Sequence, residues 1–290
     1  MIVQIALPLI LAFIMFSLGL GLKKSDFAKV FKFPHTFAAG LTNQILLLPL
    51  IALALAHLFK LSPEFAVGLM ILSLCPGGVT SNVLAKLSGG NTPLSISLTA
   101  TTSLLSIITV PFMVAWSVHH FMGEGGPSVD VTKLGLVMFL ITALPVAIGM
   151  ITTARSPGFA KKITPTISQT ALLLFALIVI AALTKNWDIF TENFTTLAPV
   201  SIFLILLLLA AGLLTAKILR LNQSDASTIA LESGIQNGTL AIAVGTLISS
   251  NEGEILPPTT IPAAVYSITM YLVCVPFVLW RKRQNVPTSS

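Results

Sequence analysis

Apolar stretches long enough to cross about 30 Å of hydrocarbon recur along the whole length of this chain, separated by short polar connections. Nearly every segment must therefore meet lipid or another apolar helix. Only 9% of the 290 residues are charged and 55% are hydrophobic, against roughly 25% charged in an ordinary soluble domain. An all-α polytopic membrane protein follows, with nine transmembrane helices expected at about 2–22, 34–58, 64–87, 93–118, 132–154, 164–185, 197–219, 226–250 and 259–280. No soluble domain fits this division. The first span has no basic segment before it and no small-residue cleavage site, and reads as a retained helix rather than a signal peptide.

Orientation follows from the basic residues, which are retained on the cytoplasmic side of short loops. One side would hold Lys23, Lys24, Lys29, Lys32, Lys86, Arg155, Lys161, Lys162, Lys217, Arg220, Arg281, Lys282 and Arg283, the other only Lys60, Lys133 and Lys185. Glu64, Glu124, Asp130, Asp188, Glu192, Glu252 and Glu254 fall on the second side, Asp26 and Asp225 on the first. With nine spans the N-terminus is expected outside and the C-terminus in the cytoplasm. The basic residues are spread over five segments rather than gathered on one face, which argues against a nucleic-acid partner. Cys75 and Cys274 lie within spans, where cysteine behaves as a small hydrophobe. His35, His57, His119 and His120 show no metal spacing.

Glu232 is the one carboxylate placed inside a span, in Leu231-Glu232-Ser233-Gly234-Ile235-Gln236-Asn237-Gly238. An ionisable group there costs about 2.5–3.5 kcal/mol on insertion scales and needs a partner, a proton or a cation. A second interrupted stretch, Cys75-Pro76-Gly77-Gly78-Val79-Thr80-Ser81-Asn82, falls in the third span. With Gly78 set against Gly234 the two run in register through Ala85 and Ala241. Third matched to eighth is an offset of five, an odd number, so the halves would have opposite topology, with the fifth span unpaired. Inverted repeats that each carry a discontinuous helix are the signature of secondary transporters. Membrane glycines more often serve close packing, and for Gly77 and Gly78 alone that is the better account. Glu232 reverses it, because the lysines within the spans, Lys86, Lys133, Lys185 and Lys217, all sit at span ends and no Lys or Arg lies deep enough to pair with it. Hydroxyl, amide and carboxylate oxygens suit a hard cation such as sodium. Ser95 and Thr99, spaced i, i+4, put two further hydroxyls on one helix face.

At these residues the chain resembles the bile acid:sodium symporter family, over nearly its full length. Three stretches carry the resemblance together: Pro76-Gly77-Gly78-x-x-Ser81-Asn82, Leu87-Ser88-Gly89-Gly90-Asn91-x-x-Leu94-Ser95, and Glu232-Ser233-Gly234-x-Gln236-Asn237. The resemblance implies a core domain built around two crossing broken helices beside a smaller panel domain. The panel would comprise about 1–31 and 130–190 and the core about 32–129 and 191–283, followed by a cytoplasmic tail, 284–290. Nine spans match the animal members, without the additional N-terminal helix of ten-helix bacterial relatives. Carried over residue by residue, a first sodium site would use Ser81, Asn82, Ser95, Thr99 and Glu232. A second would use Gln44, Glu232, Gln236 and the main-chain carbonyls of Ser233 and Ile235. Thr80 and Asn237 flank the crossing as candidate substrate contacts. On the last span Tyr266 and Ser267 stand where some bacterial relatives carry His and Asn.

The implied function is sodium-coupled symport of an organic anion, a bile acid or a small carboxylate such as pantoate, with two Na+ ions sharing Glu232. The expected partners are that anion and the lipid bilayer, in a bacterial inner membrane. The oligomeric state stays open, and a monomer is compatible. Proton coupling or efflux in the same fold, including an arsenite-type exporter dependent on Cys75, is the alternative, followed by a non-transporting receptor. An enzyme is not expected: there is no HExxH, no paired intramembrane aspartates and no nucleophile elbow.

Overall fold

The computed structural model describes residues 2–23, 25, 34–185, 187–248 and 256–285, and among these there is no strand. Lys24, Asp26, Lys29, Lys32, Glu252 and Glu254 of the charge argument lie outside the described residues, as do the end of the expected eighth span and residues 286–290 of the expected tail. The helices are α1 (Ile2–Leu20), α2 (Pro34–Thr42), α3 (Leu48–Leu58), α4 (Pro63–Leu74), α5 (Val79–Leu87), α6 (Thr92–Met122), α7 (Val131–Met138), α8 (Leu144–Arg155), α9 (Pro157–Lys185), α10 (Trp187–Ile218), α11 (Gln223–Gly234), α12 (Gly238–Ile248) and α13 (Ile261–Asn285). Among the described residues six helical stretches are long and apolar enough to cross a membrane: Pro34–Leu58, Thr92–Gly125, Val131–Arg155, Pro157–Lys185, Trp187–Ile218 and Pro258–Gln284. The chain is an integral membrane protein.

Local chemistry sets most boundaries. Ser62 caps α4 by accepting from Phe65 N at 3.4 Å, Asn91 caps α6 by accepting from Leu94 N at 3.1 Å, and Asn222 caps α11 by accepting from Asp225 N at 2.8 Å. Each side chain takes one of the amide donors a helix start leaves free. Two stretches are wound as π-helix, Asn43–Leu47 between α2 and α3 and Phe139–Ala143 between α7 and α8. Leu48-Pro49 and Leu144-Pro145 follow them directly. Proline brings no N–H to the ladder, and the widened turn ahead of it absorbs the missing bond.

Glycine fixes one packing contact in particular. A Cβ on Gly19 of α1 would lie 2.2 Å from the Val146 carbonyl oxygen of α8, and one on Gly149 would lie 2.5 Å from that of Phe16. Backbones touch there, as small residues allow where lipid supplies no hydrophobic drive between helices. α1 also packs on α9, while α4 is enclosed by α3, α6, α12 and α13, and α11 by α5, α6, α10 and α13. Both interior helices are buried from Phe65 to Ser73 and from Asp225 to Gly234.

The helices outrun several expected spans: α9 begins at Pro157 rather than near 164, α10 at Trp187 rather than near 197, and α13 continues to Asn285. Hydropathy locates the apolar middle of a helix, whereas its ends are set by caps and by packing above the lipid.

Candidate cation and substrate site

The two helix breaks meet in space. α4 stops where Cys75 turns extended (φ −75°, ψ 144°) ahead of Pro76, and α11 stops where Ile235 does so (φ −115°, ψ 117°). Proline excludes the preceding residue from helix and donates no hydrogen bond itself. The Pro76 carbonyl accepts instead from Asn237 N at 2.9 Å, tying one break to the other. Asn237 Oδ1 accepts from Leu240 N at 3.0 Å and starts α12. α5 and α12 therefore both begin at the crossing, with their positive dipole ends directed to it.

Five oxygen-bearing side chains converge on one side of this crossing. Ser95 Oγ lies 2.5 Å from Glu232 Oε1 and 2.7 Å from Asn82 Oδ1. Thr99 Oγ1 donates to Glu232 Oε2 at 2.7 Å and lies 3.4 Å from both Asn82 Oδ1 and Ser81 Oγ. Ser81 Oγ donates to the Gly78 carbonyl at 2.8 Å. These are the five side chains named for the first sodium site, brought together from α5, α6 and α11. Glu232 is only 5% exposed. The Ser95 hydroxyl has one proton for two close acceptors, so the cluster holds more lone pairs than protons. Gly77 closes it: a Cβ there would lie 3.0 Å from Ser81 Oγ, 3.2 Å from Glu232 Oε2 and 3.5 Å from the Ile235 carbonyl oxygen.

The residues named for a second site are also gathered, though with different bonding. Gln44, in the π segment, donates through Nε2 to the Cys75 carbonyl at 3.0 Å and to Gln236 Oε1 at 2.8 Å. Gln236 Nε2 donates to the Ser233 carbonyl at 2.8 Å. The Glu232 carboxylate is bonded by the hydroxyls of Ser95, Thr99 and Ser81, and among the described residues no bond runs from it to Gln44 or Gln236. The amides thus satisfy one another and the freed carbonyls of both breaks.

On the far side of the crossing lies a cavity of about 380 Å³, lined by Thr80, Asn237 and Tyr271 at the breaks and by Ser17, Ser168 and Phe175 from α1 and α9. Among the described residues no charged side chain lines it. Ser17 Oγ and Ser168 Oγ lie 3.2 Å apart across the α1–α9 contact. Tyr271 Oη is buried beside the Thr80 side chain, and among the described residues no contact to it meets the distance and angle of a full hydrogen bond. Tyr266 and Ser267, singled out on the last span, point elsewhere: Tyr266 Oη donates to the Gly234 carbonyl at 2.9 Å and Ser267 Oγ to that of Ala263 at 2.7 Å. One helical turn further along, Met270 and Tyr271 face the cavity instead.

The family model of sodium bile acid symporters matches residues 8–193. The chain belongs to the sodium bile acid symporter family. It is 28% identical to an uncharacterized sodium-dependent transporter of Bacillus subtilis, YocS, over 90% of this chain and 78% of the relative. It is likewise 28% identical to a probable chloroplastic sodium/metabolite cotransporter of rice, over 94% of this chain but 63% of that protein, and to the human ileal sodium/bile acid cotransporter, over 90% and 74%. Membership makes this chain a sodium-dependent transporter of its family and not an enzyme.

In this member of the family several polar residues do what the sequence left unassigned. Arg281, counted among loop cations, is 4% exposed. Its guanidinium donates to Ser227 Oγ at 2.8 Å, to the Gln223 carbonyl at 2.9 Å and to Gln284 Oε1 at 2.7 Å, satisfying the first turn of α11. Asp225 is buried too, accepting from Asn91 Nδ2 at 2.7 Å and Asn222 Nδ2 at 2.9 Å. The loop after α5 is thereby stitched to the start of α11, and Ser224 Oγ adds a bond to the Gly89 carbonyl at 3.0 Å. His57 Nε2 and His120 Nε2 lie 3.0 Å apart although 63 residues separate them, beyond the reach of any spacing rule. Cys75 and Cys274 are buried free thiols.

Proposed function

We propose that this chain is a sodium-coupled symporter that carries small organic anions by alternating access, nine spans being arranged as inverted repeats. The observation that carries the reading is the shortage of protons around Ser95, Asn82 and Glu232. A cation among these oxygens answers it, and an all-oxygen donor set suits sodium. Ser81, Asn82, Ser95, Thr99 and Glu232 would hold the first ion. Gln44, Gln236 and the carbonyls of Ser233 and Ile235 would hold a second once the Gln44 and Gln236 amides turn their oxygens inward, with Glu232 supplying charge to both.

The substrate would occupy the cavity on the other face of the crossing, with Thr80, Asn237 and Tyr271 as its polar contacts. With no cationic side chain in that wall among the described residues, an anion would be met by the helix starts of α5 and α12 and by the charge the ions bring. The relatives, a bile acid cotransporter and a probable sodium/metabolite cotransporter, support an organic solute, and the substrate would be an organic anion, a bile acid or a small carboxylate such as pantoate. Because the cavity lies between α1 and α9 on one side and the crossing on the other, relative movement of a panel (α1, α7 to α9) against the remaining core would open it to each side in turn. By the asymmetry of its basic residues the N-terminus would lie outside and the C-terminus in the cytoplasm of a bacterial inner membrane.

Thermal melting of purified protein tests the ion sites, since a ligand of the native state alone stabilises by RT ln(1 + [L]/Kd). Sodium is expected to raise the melting temperature over equimolar potassium, and Glu232→Gln and Gln236→Ala to abolish or shrink that difference. Equal melting in the two salts would sink the assignment. A carboxyl proton on Glu232 would also fill the deficit, so proteoliposome uptake driven by a pH gradient without sodium would favour proton coupling.

A further inference from the structure

The cavity beside the crossing has polar side chains on two walls. Thr80, Asn237 and Tyr271 stand at the crossing, whereas Ser17, Ser168 and Gln169 come from α1 and α9. A hydroxyl on a membrane helix ordinarily returns its proton to the carbonyl four residues back, and on α9 Thr164 and Thr184 do so, to Ala160 at 2.7 Å and Ile180 at 2.9 Å. Ser17 and Ser168 do not. Among the described residues each hydroxyl bonds only to the other, at 3.2 Å. One proton lies between the two oxygens, so the second is unspent. Ser17 is 3% exposed and Ser168 is the more open of the two, and both line the cavity.

We propose that the Ser17–Ser168 pair is a second substrate subsite, and that the cavity takes a carboxylate carrying a neutral oxygen, a hydroxyl or an oxo group, at the end opposite its charge. This rests on the symport reading of the same cavity. The carboxylate would lie at the starts of α5 and α12, where amide donors and dipoles favour an anion. Past an apolar stretch of wall that includes Leu84, Phe175 and Met270, the other end would meet the serines. A hydroxyl there accepts the unspent proton and donates to a serine lone pair. A second carboxylate would find no cation in that wall among the described residues. A hydrocarbon end would cover a donor that it cannot bond, which weakens binding. A few placed polar groups in a mostly apolar pocket are what fix a ligand's orientation. Because α1 and α9 belong to the panel and the crossing to the core, a ligand of this class would touch both moving parts.

Calorimetric titration of the purified full-length protein, in sodium and in potassium, tests the subsite with 6-hydroxyhexanoate and 8-hydroxyoctanoate against hexanoate, octanoate, adipate and suberate. In sodium a hydroxy acid is expected to bind about twofold to tenfold tighter than the unsubstituted acid of its length, the worth of one hydrogen bond, and tighter than the dicarboxylate. Ser17→Ala with Ser168→Ala is expected to bring the hydroxy and unsubstituted acids to equal affinity while the unsubstituted acid binds as in the parent. Should the double variant fail to fold, Ser168→Ala alone carries the test, since it removes the more open hydroxyl. Serines that only hold α1 to α9 would lower the melting temperature on substitution and leave the affinity ratio untouched, and that result overturns the proposal. Tighter binding of the dicarboxylates also overturns it. A parent protein that sodium stabilises but that binds none of these acids overturns this inference alone, whereas one that sodium does not stabilise takes the symport reading with it.

Discussion

Gly77→Ala would place a methyl group 3.0 Å from Ser81 Oγ, 3.2 Å from Glu232 Oε2 and 3.5 Å from the Ile235 carbonyl oxygen. Backbone strain does not enter, because Gly77 is not one of the glycines with positive φ. Neither neighbour can yield freely: Ser81 Oγ is held by the Gly78 carbonyl at 2.8 Å and Glu232 Oε2 by Thr99 at 2.7 Å. Overpacking of this kind costs about 1–3 kcal/mol. Taken out of ion affinity at about 1.4 kcal/mol per decade, that weakens sodium binding by about fivefold to a hundredfold or more. The readouts are the sodium half-saturation of uptake in proteoliposomes and the sodium-dependent shift in melting temperature. Gly78→Ala is the control, since its Cβ would meet only Thr80 Oγ1 at 3.8 Å, an ordinary contact. Its sodium half-saturation is expected within about twofold of the parent, well under the overpacking range. A Gly77→Ala protein with parental sodium dependence, or a Gly78→Ala protein equally impaired, would refute the reasoning.

Three further substitutions probe the surroundings. Tyr271→Phe removes a buried hydroxyl with no full hydrogen bond among the described residues, so melting should change little while the KM for substrate increases about twofold to tenfold, the worth of one hydrogen bond. Gly238→Ala would bring a Cβ 1.9 Å from Ser267 Oγ and should destabilise by about 3 kcal/mol. Adding Ser267→Ala leaves a Cβ at 3.3 Å as the nearest atom of that side chain, and a double-mutant cycle on melting should show a coupling of about 2 kcal/mol. Asp225→Ala leaves the part-buried amide donors of Asn91 and Asn222 without their acceptor, and should cost about 0.5–1.5 kcal/mol, the net worth of a hydrogen bond. Asp225→Asn should not rescue it, because its own NH2 would face one of those donors.

Much of this architecture is legible residue by residue. Long apolar runs can only be stable in lipid, so membrane insertion needs no tertiary information. Pro76, Gly77 and Gly234 interrupt helices through backbone chemistry that is local to them. Glu232 in an apolar run demands a partner wherever it folds, and oxygen donors near both breaks name the kind of partner. The i, i+4 spacing of Ser95 and Thr99 puts their hydroxyls on one face, and the structure aims both at that carboxylate.

What the chain determines alone, then, is what is paid locally: burial of apolar surface, loss of a helical hydrogen bond at proline, and the cost of a charge in hydrocarbon. Distances between segments far apart in sequence are decided only by packing. Asn237 reaches Pro76 across 161 positions, and that one crossing gathers oxygens from α5, α6 and α11 around Glu232. The same packing sets apart Gly77, pressed against the carboxylate, from Gly78, which has room. It brings Tyr271 rather than Tyr266 to the cavity and buries Arg281 against α11, because helix phase and neighbours, not residue type, choose which face of α13 meets the core.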